Sequence, residues 1–185
     1  MTTEIRKQFY QSGALREEAA VEAGVLNGTL KTYYENGALQ AEAGYKNGRL
    51  EGTVKVYYAN GQLHSEFHYR EGLAQGHSRL YYETGELQSE VDYADGKENG
   101  LMRSYYRSGA LQKEFPLKAG EHQGPIRIYY QSGKILLEGE YKNDLLEGPV
   151  RMYSEDGALM GEELYESGKP QGKPRHKFLS EYFLK

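Results

Sequence analysis

The sequence has 185 residues and contains neither cysteine nor tryptophan. Without cysteine there is no disulfide framework, no thiol nucleophile and no cysteine-ligated zinc. No apolar run is long enough to span a bilayer, and the opening MTTEIRKQFYQSG lacks the apolar stretch of a secretion signal. We therefore expect a cytoplasmic protein.

Apolar residues are also scarce, at 38% of the chain, which argues against an ordinary two-layer core. The aromatic content of 12% is nevertheless too high for a chain that stays unfolded. A net charge of -4 disfavours nucleic acid and anionic membranes as partners. Glycine and tyrosine are unusually abundant, with 23 and 18 residues respectively.

Most of these residues recur with a period of 24, which is the signature of an internal repeat. We call a set of positions 24 residues apart a column. Three columns hold 17 of the 18 tyrosines, and three others hold 20 of the 23 glycines. The first aromatic column is Phe9, Tyr33, Tyr57, Tyr81, Tyr105, Tyr129, Tyr153, and the second is Tyr10, Tyr34, Tyr58, Tyr82, Tyr106, Tyr130, Ser154. Seven units succeed one another without insertion or deletion.

Each unit is expected to form a β-hairpin. Asn36-Gly37 lies between two short strand-like runs, which is a strong hairpin signal, whereas a helix would carry too many glycines. A two-residue turn there sets residues whose numbers sum to 73 opposite each other: Tyr34 with Leu39, Tyr33 with Gln40, and Lys31 with Glu42. A basic column then faces an acidic one, and we expect a structural ion pair in every hairpin. The pairs are Lys31–Glu42, Lys55–Glu66, Arg79–Glu90, Arg103–Glu114 and Arg127–Glu138.

The predicted fold is all-β: an elongated single-layer antiparallel meander of seven 24-residue hairpins over residues 1–172. Alternation along the strands gives one apolar face, with the second tyrosine column, and one aromatic and charged face, on which Gln40 and Leu136 also fall. Residues 173–185 break the period. One side of a helix would carry Phe178, Leu179, Tyr182 and Phe183, so we expect a short C-terminal capping helix, with a frayed tail as the alternative.

No catalytic constellation is apparent. His64 and His68 share a strand face with Glu66, but positions i and i+4 of a strand are about 13 Å apart, too far to ligate one metal. His77 and His122 lie near expected loops and are interpreted as single exposed histidines. The acidic column recurs in every unit, which indicates architecture. We therefore expect no enzyme activity, no metal and no cofactor.

The stretch YYENGALQAEAGYKNGRLEGTVKVYYANGQL (33–63) resembles the MORN repeat, in the bacterial variant typified by YwqK-family antitoxins. The resemblance covers residues 5 to about 172; Ser154, Asp144 and Leu117 depart from its pattern. It implies an elongated, curved sheet of hairpins. It also implies a protein that neutralises a cognate toxin by binding it, or a scaffold near a membrane. The lipid-kinase label that some MORN proteins carry does not fit, because this chain has no kinase motif.

The resulting hypothesis is a non-enzymatic binding protein whose aromatic and charged face contacts a protein partner, most plausibly a toxin. Tyrosine and arginine are enriched in binding hot spots, although cross-strand stacking would equally explain the first tyrosine column. The predicted contact residues are Tyr33, Tyr57, Tyr81, Tyr105, Tyr129, Arg79, Arg103 and Arg127. The alternatives are a membrane-associated scaffold and an enzyme that acts on an extended polymer around His64 and His68.

Overall fold

The structure, a computed structural model, describes residues 2–172 and contains β-strands, but no helix, within that range. The predicted C-terminal helix of residues 173–185 lies outside the described residues. The chain divides into two units, residues 1–97 and 98–185. Each unit is built from antiparallel strands that pair with their neighbours in chain order, as the repeat predicts.

The first unit is a meander in which each long strand pairs with the next. Its strands are β1 (Glu4–Phe9), β2 (Leu15–Glu22), β3 (Val25–Tyr33), β4 (Leu39–Lys46), β5 (Arg49–Tyr57), β6 (Leu63–Arg70), β7 (Leu73–Ala74), β8 (Gly76–Tyr81) and β9 (Leu87–Ala94). The two-residue strand β10 (Lys97–Glu98) falls at the division of the chain.

The second unit repeats the same plan, and the first strand of each of its hairpins has six residues. Its strands are β11 (Gly100–Tyr105), β12 (Leu111–Lys118), β13 (Glu121–His122), β14 (Gly124–Tyr129), β15 (Ile135–Lys142), β16 (Leu145–Leu146), β17 (Gly148–Tyr153), β18 (Leu159–Glu166) and β19 (Lys169–Pro170).

The hairpin turn is one residue longer than predicted. The N–H of Tyr34 donates to the carbonyl of Ala38, and the N–H of Gly37 to the carbonyl of Tyr34, so three residues form the loop and Gly37 has a φ of 86°. A bulge follows, because Tyr33 pairs with Leu39 while Thr32 pairs with Ala41. The predicted pairs Tyr34–Leu39 and Tyr33–Gln40 are therefore wrong. Beyond the bulge the predicted register returns, and Lys31 lies opposite Glu42.

The two-residue turn occurs at the other end of the strands. Asn47 and Gly48 both have positive φ, 51° and 77°, as a type I′ turn requires. The N–H of Gly48 also donates a 2.8 Å hydrogen bond to the carbonyl of Leu26 in the preceding repeat. In the corresponding turn of the second unit, Asn143 and Asp144 adopt the same conformation at 52° and 65°. The turn geometry is thus kept where Asp144 replaces glycine.

The apolar face forms the core, and it is best packed in the second unit. Leu137 and Val150 are fully buried in a cluster with Ile128, Leu146, Met152 and Tyr165. Leu136, predicted on the charged face, packs against this cluster because the bulge after the hairpin turn redirects its side chain. The first unit buries smaller side chains, such as Ala19, Val21 and Ala43.

Candidate partner-binding surface

Basic and acidic side chains alternate from strand to strand across the first unit. Glu42 lies opposite Lys31 of its own hairpin and opposite Lys55 of the next. We call this row the charge ladder; in the first unit it comprises Lys7, Glu18, Lys31, Glu42, Lys55, Glu66, Arg79 and Glu90. The Lys31–Glu42, Lys55–Glu66 and Arg79–Glu90 ion pairs measure 3.4, 3.5 and 4.0 Å. The sequence pattern predicted pairs within hairpins but missed their continuity between hairpins.

The second unit has its own charge ladder: Arg103, Glu114, Arg127, Glu138, Arg151 and Glu162. Arg103 and Arg127 approach Glu114 from both sides, each at 3.7 Å. Arg127 lies opposite Glu138 in the sheet, but its guanidinium forms its ion pair with Glu114. Glu138 is contacted instead by Arg151, at 3.8 Å. Arg127 therefore leans toward the preceding repeat, which strand register alone does not specify, whereas Arg151 also pairs with Glu162 of its own hairpin at 2.7 Å.

The first tyrosine column lies beside the ladder and shares its carboxylates. The hydroxyl of Tyr129 donates to Oε1 of Glu114, and that of Tyr153 to Oε1 of Glu138, both at 2.7 Å. Burial and the hydrogen bond to the Glu114 carboxylate raise the pKa of Tyr129 to about 12. Tyr129 is thus held by its own chain as well as presented on the surface.

The other predicted contact residues lie on the same face of their respective units. Tyr33, Tyr57 and Tyr81 end strands β3, β5 and β8 of the first unit, where Arg79 also lies. Arg103 and Tyr105 lie on β11 of the second unit. Among the eight predicted residues, the tyrosines are half-buried. We call this face, which carries the charge ladder and the first tyrosine column, the ladder face.

The second tyrosine column joins successive repeats, a role that the sequence did not reveal. Five tyrosine hydroxyls of this column each donate to the backbone carbonyl of the first-column tyrosine in the next repeat. These bonds measure 2.7 Å from Tyr10 to Tyr33, 2.8 Å from Tyr34 to Tyr57, 2.8 Å from Tyr58 to Tyr81, 2.6 Å from Tyr106 to Tyr129 and 2.9 Å from Tyr130 to Tyr153. The recurrence of tyrosine, with no phenylalanine or leucine in the column, is the signal for a required hydroxyl.

His77 is the centre of a carboxylate cluster that breaks the repeat pattern. Its Nδ1 lies 3.0 Å from Asp92 and its Nε2 3.1 Å from Glu90, while Arg79 also reaches Glu90. Both ring nitrogens of His77 therefore face carboxylates of the neighbouring strand β9. The expectation of a single exposed histidine therefore missed this cluster.

His122 meets Asp144, another departure from the repeat. Oδ1 of Asp144 lies 2.7 Å from the backbone nitrogen of His122 and 2.8 Å from its Nδ1. The two hydrogen bonds from His122 lower the pKa of Asp144. The imidazole lies between the rings of Phe115 and Tyr141, at centroid distances of 4.7 and 5.0 Å. Residue 144 thus replaces a turn glycine with a carboxylate that fixes this imidazole.

His64, His68 and Lys113 each make separate contacts. His64, at the bulge after the turn, packs edge-on against Tyr58, and His68 bonds Thr53 at 3.0 Å. Lys113 lies above the Phe115 ring on the apolar face, and burial lowers its pKa. Within residues 2–172, no group of three or more His, Asp or Glu side chains could hold a metal ion, and no helix could cross a membrane.

A protein-family model described as the MORN repeat variant matches six stretches: residues 26–47, 50–71, 74–95, 98–119, 123–143 and 146–167. No curated protein matches the chain. Among solved structures, "Crystal Structure of TarM" aligns at a TM-score of 0.34 and 12% identity, over 67% of this chain and 20% of the other. An accessory secretory protein complex of Streptococcus pneumoniae aligns at 0.22 and 14%, over 67% and 18%. The family match spans well over half of the sequence, and the chain belongs to the MORN repeat variant family.

Proposed function

We propose that this chain is a non-enzymatic protein-binding repeat protein, and specifically a cytoplasmic antitoxin or immunity protein that neutralises a toxin by direct contact. The observation that carries the proposal is the composition of the ladder face. Half-buried tyrosines lie there beside arginine, lysine and glutamate, one set per hairpin. Tyrosine and arginine supply large contact areas with polar tips, and they dominate protein-binding hot spots.

The charges of this face neutralise one another, which favours a protein partner over a membrane. Each interior carboxylate of the charge ladder has a base on both sides, as Glu114 has Arg103 and Arg127. Such a surface offers an anionic lipid little net attraction, whereas a protein can match the alternating signs. The alternative of a membrane-associated MORN scaffold therefore receives less support from the ladder.

We also count the hairpin of β1 and β2 as a repeat. It precedes the six stretches that the family model matches and brings the number of repeats to seven. It has the same bulge after the turn, at Phe9–Leu15. Its Lys7–Glu18 ion pair measures 3.0 Å, and its Tyr10 bonds the next repeat as the later tyrosines do. This hairpin accordingly extends the ladder face by one hairpin.

Co-expression with the product of the neighbouring gene tests the proposal. We expect that product to be toxic alone, harmless with this chain, and recovered bound to it. A double variant, Tyr57→Ala with Tyr81→Ala, should weaken binding at least about tenfold, as the loss of hot-spot residues does. Glu35→Ala with Glu83→Ala is the matched control, because both side chains are exposed in the hairpin turns of the same unit.

A neighbouring product that is neither toxic nor bound contradicts the antitoxin role. Recovery of a different protein, still sensitive to the two tyrosine substitutions, would retain protein binding and replace the toxin. Strong, salt-sensitive sedimentation with anionic vesicles, and no protein partner, would favour the membrane scaffold instead.

A further inference from the structure

Two strands near the ends of the described chain have open edges. Within residues 2–172, β1 pairs with β2 alone, and the outer edge of β18 is paired only at Tyr165 and Glu166, by β19. An open edge presents backbone N–H and C=O groups to any strand that can align with it. These two edges are therefore the places where the repeat can be extended by another chain.

Both strands expose large apolar side chains. Ile5 and Phe9 on β1 are 53% and 58% exposed, and Leu159, Met160 and Leu164 on β18 are 57%, 53% and 54% exposed. Leu159 and Met160 are more exposed than Ile135 and Leu136, the residues of the same columns one repeat earlier. The two edges thus share an apolar surface that another strand would cover.

The repeat itself specifies how the two edges align. Strand β4 pairs with β5 through Ala41–Val56, Glu42–Lys55 and Ala43–Val54. Strand β18 is the equivalent of β4, and β1 is the equivalent of β5. When the residue numbers of both strands are shifted by whole multiples of the 24-residue period, the same register applies to β18 and β1. It sets Gly161 opposite Gln8, Glu162 opposite Lys7, and Glu163 opposite Arg6. The exposed Glu162 of one edge therefore meets Lys7 of the other, whereas Glu163 is buried and accepts a hydrogen bond from Tyr165.

The exposed fractions of their side chains indicate that Lys7 and Glu162 are the ends of the two charge ladders. The Lys7 side chain is 50% exposed, against 39–46% for the other bases in the ladders' ion pairs. The Glu162 side chain is 47% exposed, against 16–40% for the other acids. Each has a partner on one side, Glu18 and Arg151 respectively, and a solvent-facing side where the next strand of the repeat would lie.

We propose that β1 of one copy adds antiparallel to β18 of a second copy, so that Lys7 meets Glu162 of the second copy. The inference does not rest on the proposed function, since it requires no toxin or other partner protein. The contact joins two different surfaces, so each pair of copies still has one free β1 and one free β18. Association therefore continues until a ring closes, or extends as an open chain.

Sedimentation velocity of the full chain over a wide concentration range tests the proposal. We expect the average mass to rise well above the monomer value of 21.0 kDa. Lys7→Glu and Glu162→Lys should each abolish this rise, whereas Lys118→Glu, at an exposed position of β12, should not. An equimolar mixture of the first two variants should associate again, because one retains an intact β18 and the other an intact β1. A variant that had merely unfolded would not be restored by mixing.

Cross-linking checks the register. Because the chain has no cysteine, Lys7→Cys in one protein and Glu162→Cys in another should form a mixed disulfide on mild oxidation. Leu159→Cys is the matched control, about 10 Å away along the strand, and should cross-link far less. A monomer at every concentration, or equal cross-linking at both positions, would overturn the proposal. So would amide protection of β18 that is independent of protein concentration, because the edge is then covered within one chain.

Discussion

The hydroxyl of Tyr129 donates a 2.7 Å hydrogen bond to Oε1 of Glu114, a residue of the preceding hairpin. The same carboxylate receives Arg103 and Arg127, so one glutamate joins groups from two repeats. Positions of the ladder face are therefore structural and exposed at once. This relationship permits a direct test by titration and by stability.

Tyr129 should ionise later than an ordinary tyrosine. Burial first, and then the hydrogen bond to Glu114, raise its pKa to about 12. Because the folded-state pKa is raised, the stabilisation is complete below pH 10, the ordinary value, and is lost as the pH rises toward 12. Absorbance at 295 nm should show a late-titrating class that is reduced in Tyr129→Phe. At neutral pH this variant should lose about 1 kcal/mol of unfolding free energy, and no loss would contradict the assigned bond.

Tyr58→Phe should weaken the connection between two repeats in the first unit. The substitution removes the 2.8 Å bond to the carbonyl of Tyr81 and leaves that half-buried carbonyl short of a donor. We expect a loss of about 1 kcal/mol in urea unfolding. Tyr45→Phe is the control, because Tyr45 lies on β4 and belongs neither to the first tyrosine column nor to the second, whose hydroxyls join the repeats. Equal losses for the two variants would mean that the hydroxyl bond contributes nothing.

Leu137→Ala should be strongly destabilising. The Leu137 side chain is fully buried in the second unit's cluster, so its truncation leaves a cavity and costs about 2–5 kcal/mol. Leu159→Ala, at a position 57% exposed, should change stability by less than about 0.5 kcal/mol. Chemical denaturation of both variants measures the difference, and similar values would contradict the assigned core.

Asp144→Asn should reduce the loss of folding stability at low pH. The hydrogen bonds from His122 lower the pKa of Asp144, so its contribution is present above the ordinary carboxyl pKa and is lost as the pH falls through the lowered value. Asparagine tolerates positive φ and keeps an acceptor, which isolates the effect of the charge. Denaturation midpoints at pH 7 and pH 3 should therefore differ less in the variant than in the native chain. Asp95→Asn, in the turn of another repeat, is the control.

Ala119→Asn should stabilise the second unit. Ala119 has a φ of 54° in its type I′ turn, a conformation that alanine adopts at a cost of about 1 kcal/mol and asparagine adopts readily. The melting temperature should rise by a few degrees. Ala110→Asn, in the hairpin turn where positive φ falls on Gly109, should give no such rise.

The strand register shows what the sequence could and could not predict. The period and the alternation of side chains placed Lys31 opposite Glu42, and the structure has them paired. The turn between them was wrong by one residue, and the bulge beside Gln40 adds the residue that restores the register. The two differences cancel because hairpins of this loop length carry the compensating bulge. Neither the longer loop nor the bulge has a distinct sequence signature, since Asn-Gly suits both two-residue and three-residue hairpin loops.

The candidate site was predictable in composition but not in its contacts. The columns identified the tyrosines and charges of the ladder face, because one face of a strand is fixed by parity. That Arg127 approaches Glu114, or that His122 meets Asp144, depends on side-chain direction between repeats. Both members of the second pair depart from their columns, and such paired departures are the signal that sequence reading missed.

The bonds from the second tyrosine column have a consequence for how the family changes length. Each of the five bonds described above reaches a backbone carbonyl 23 residues further on, as Tyr34 reaches Tyr57, and so does not depend on the side chain found there. A gene duplication or deletion of one whole 24-residue period inside a unit would recreate every such junction, whereas a gain of a few residues would break one. Arrays of this kind can therefore evolve by gaining or losing whole repeats, so that repeat number changes more freely than repeat length.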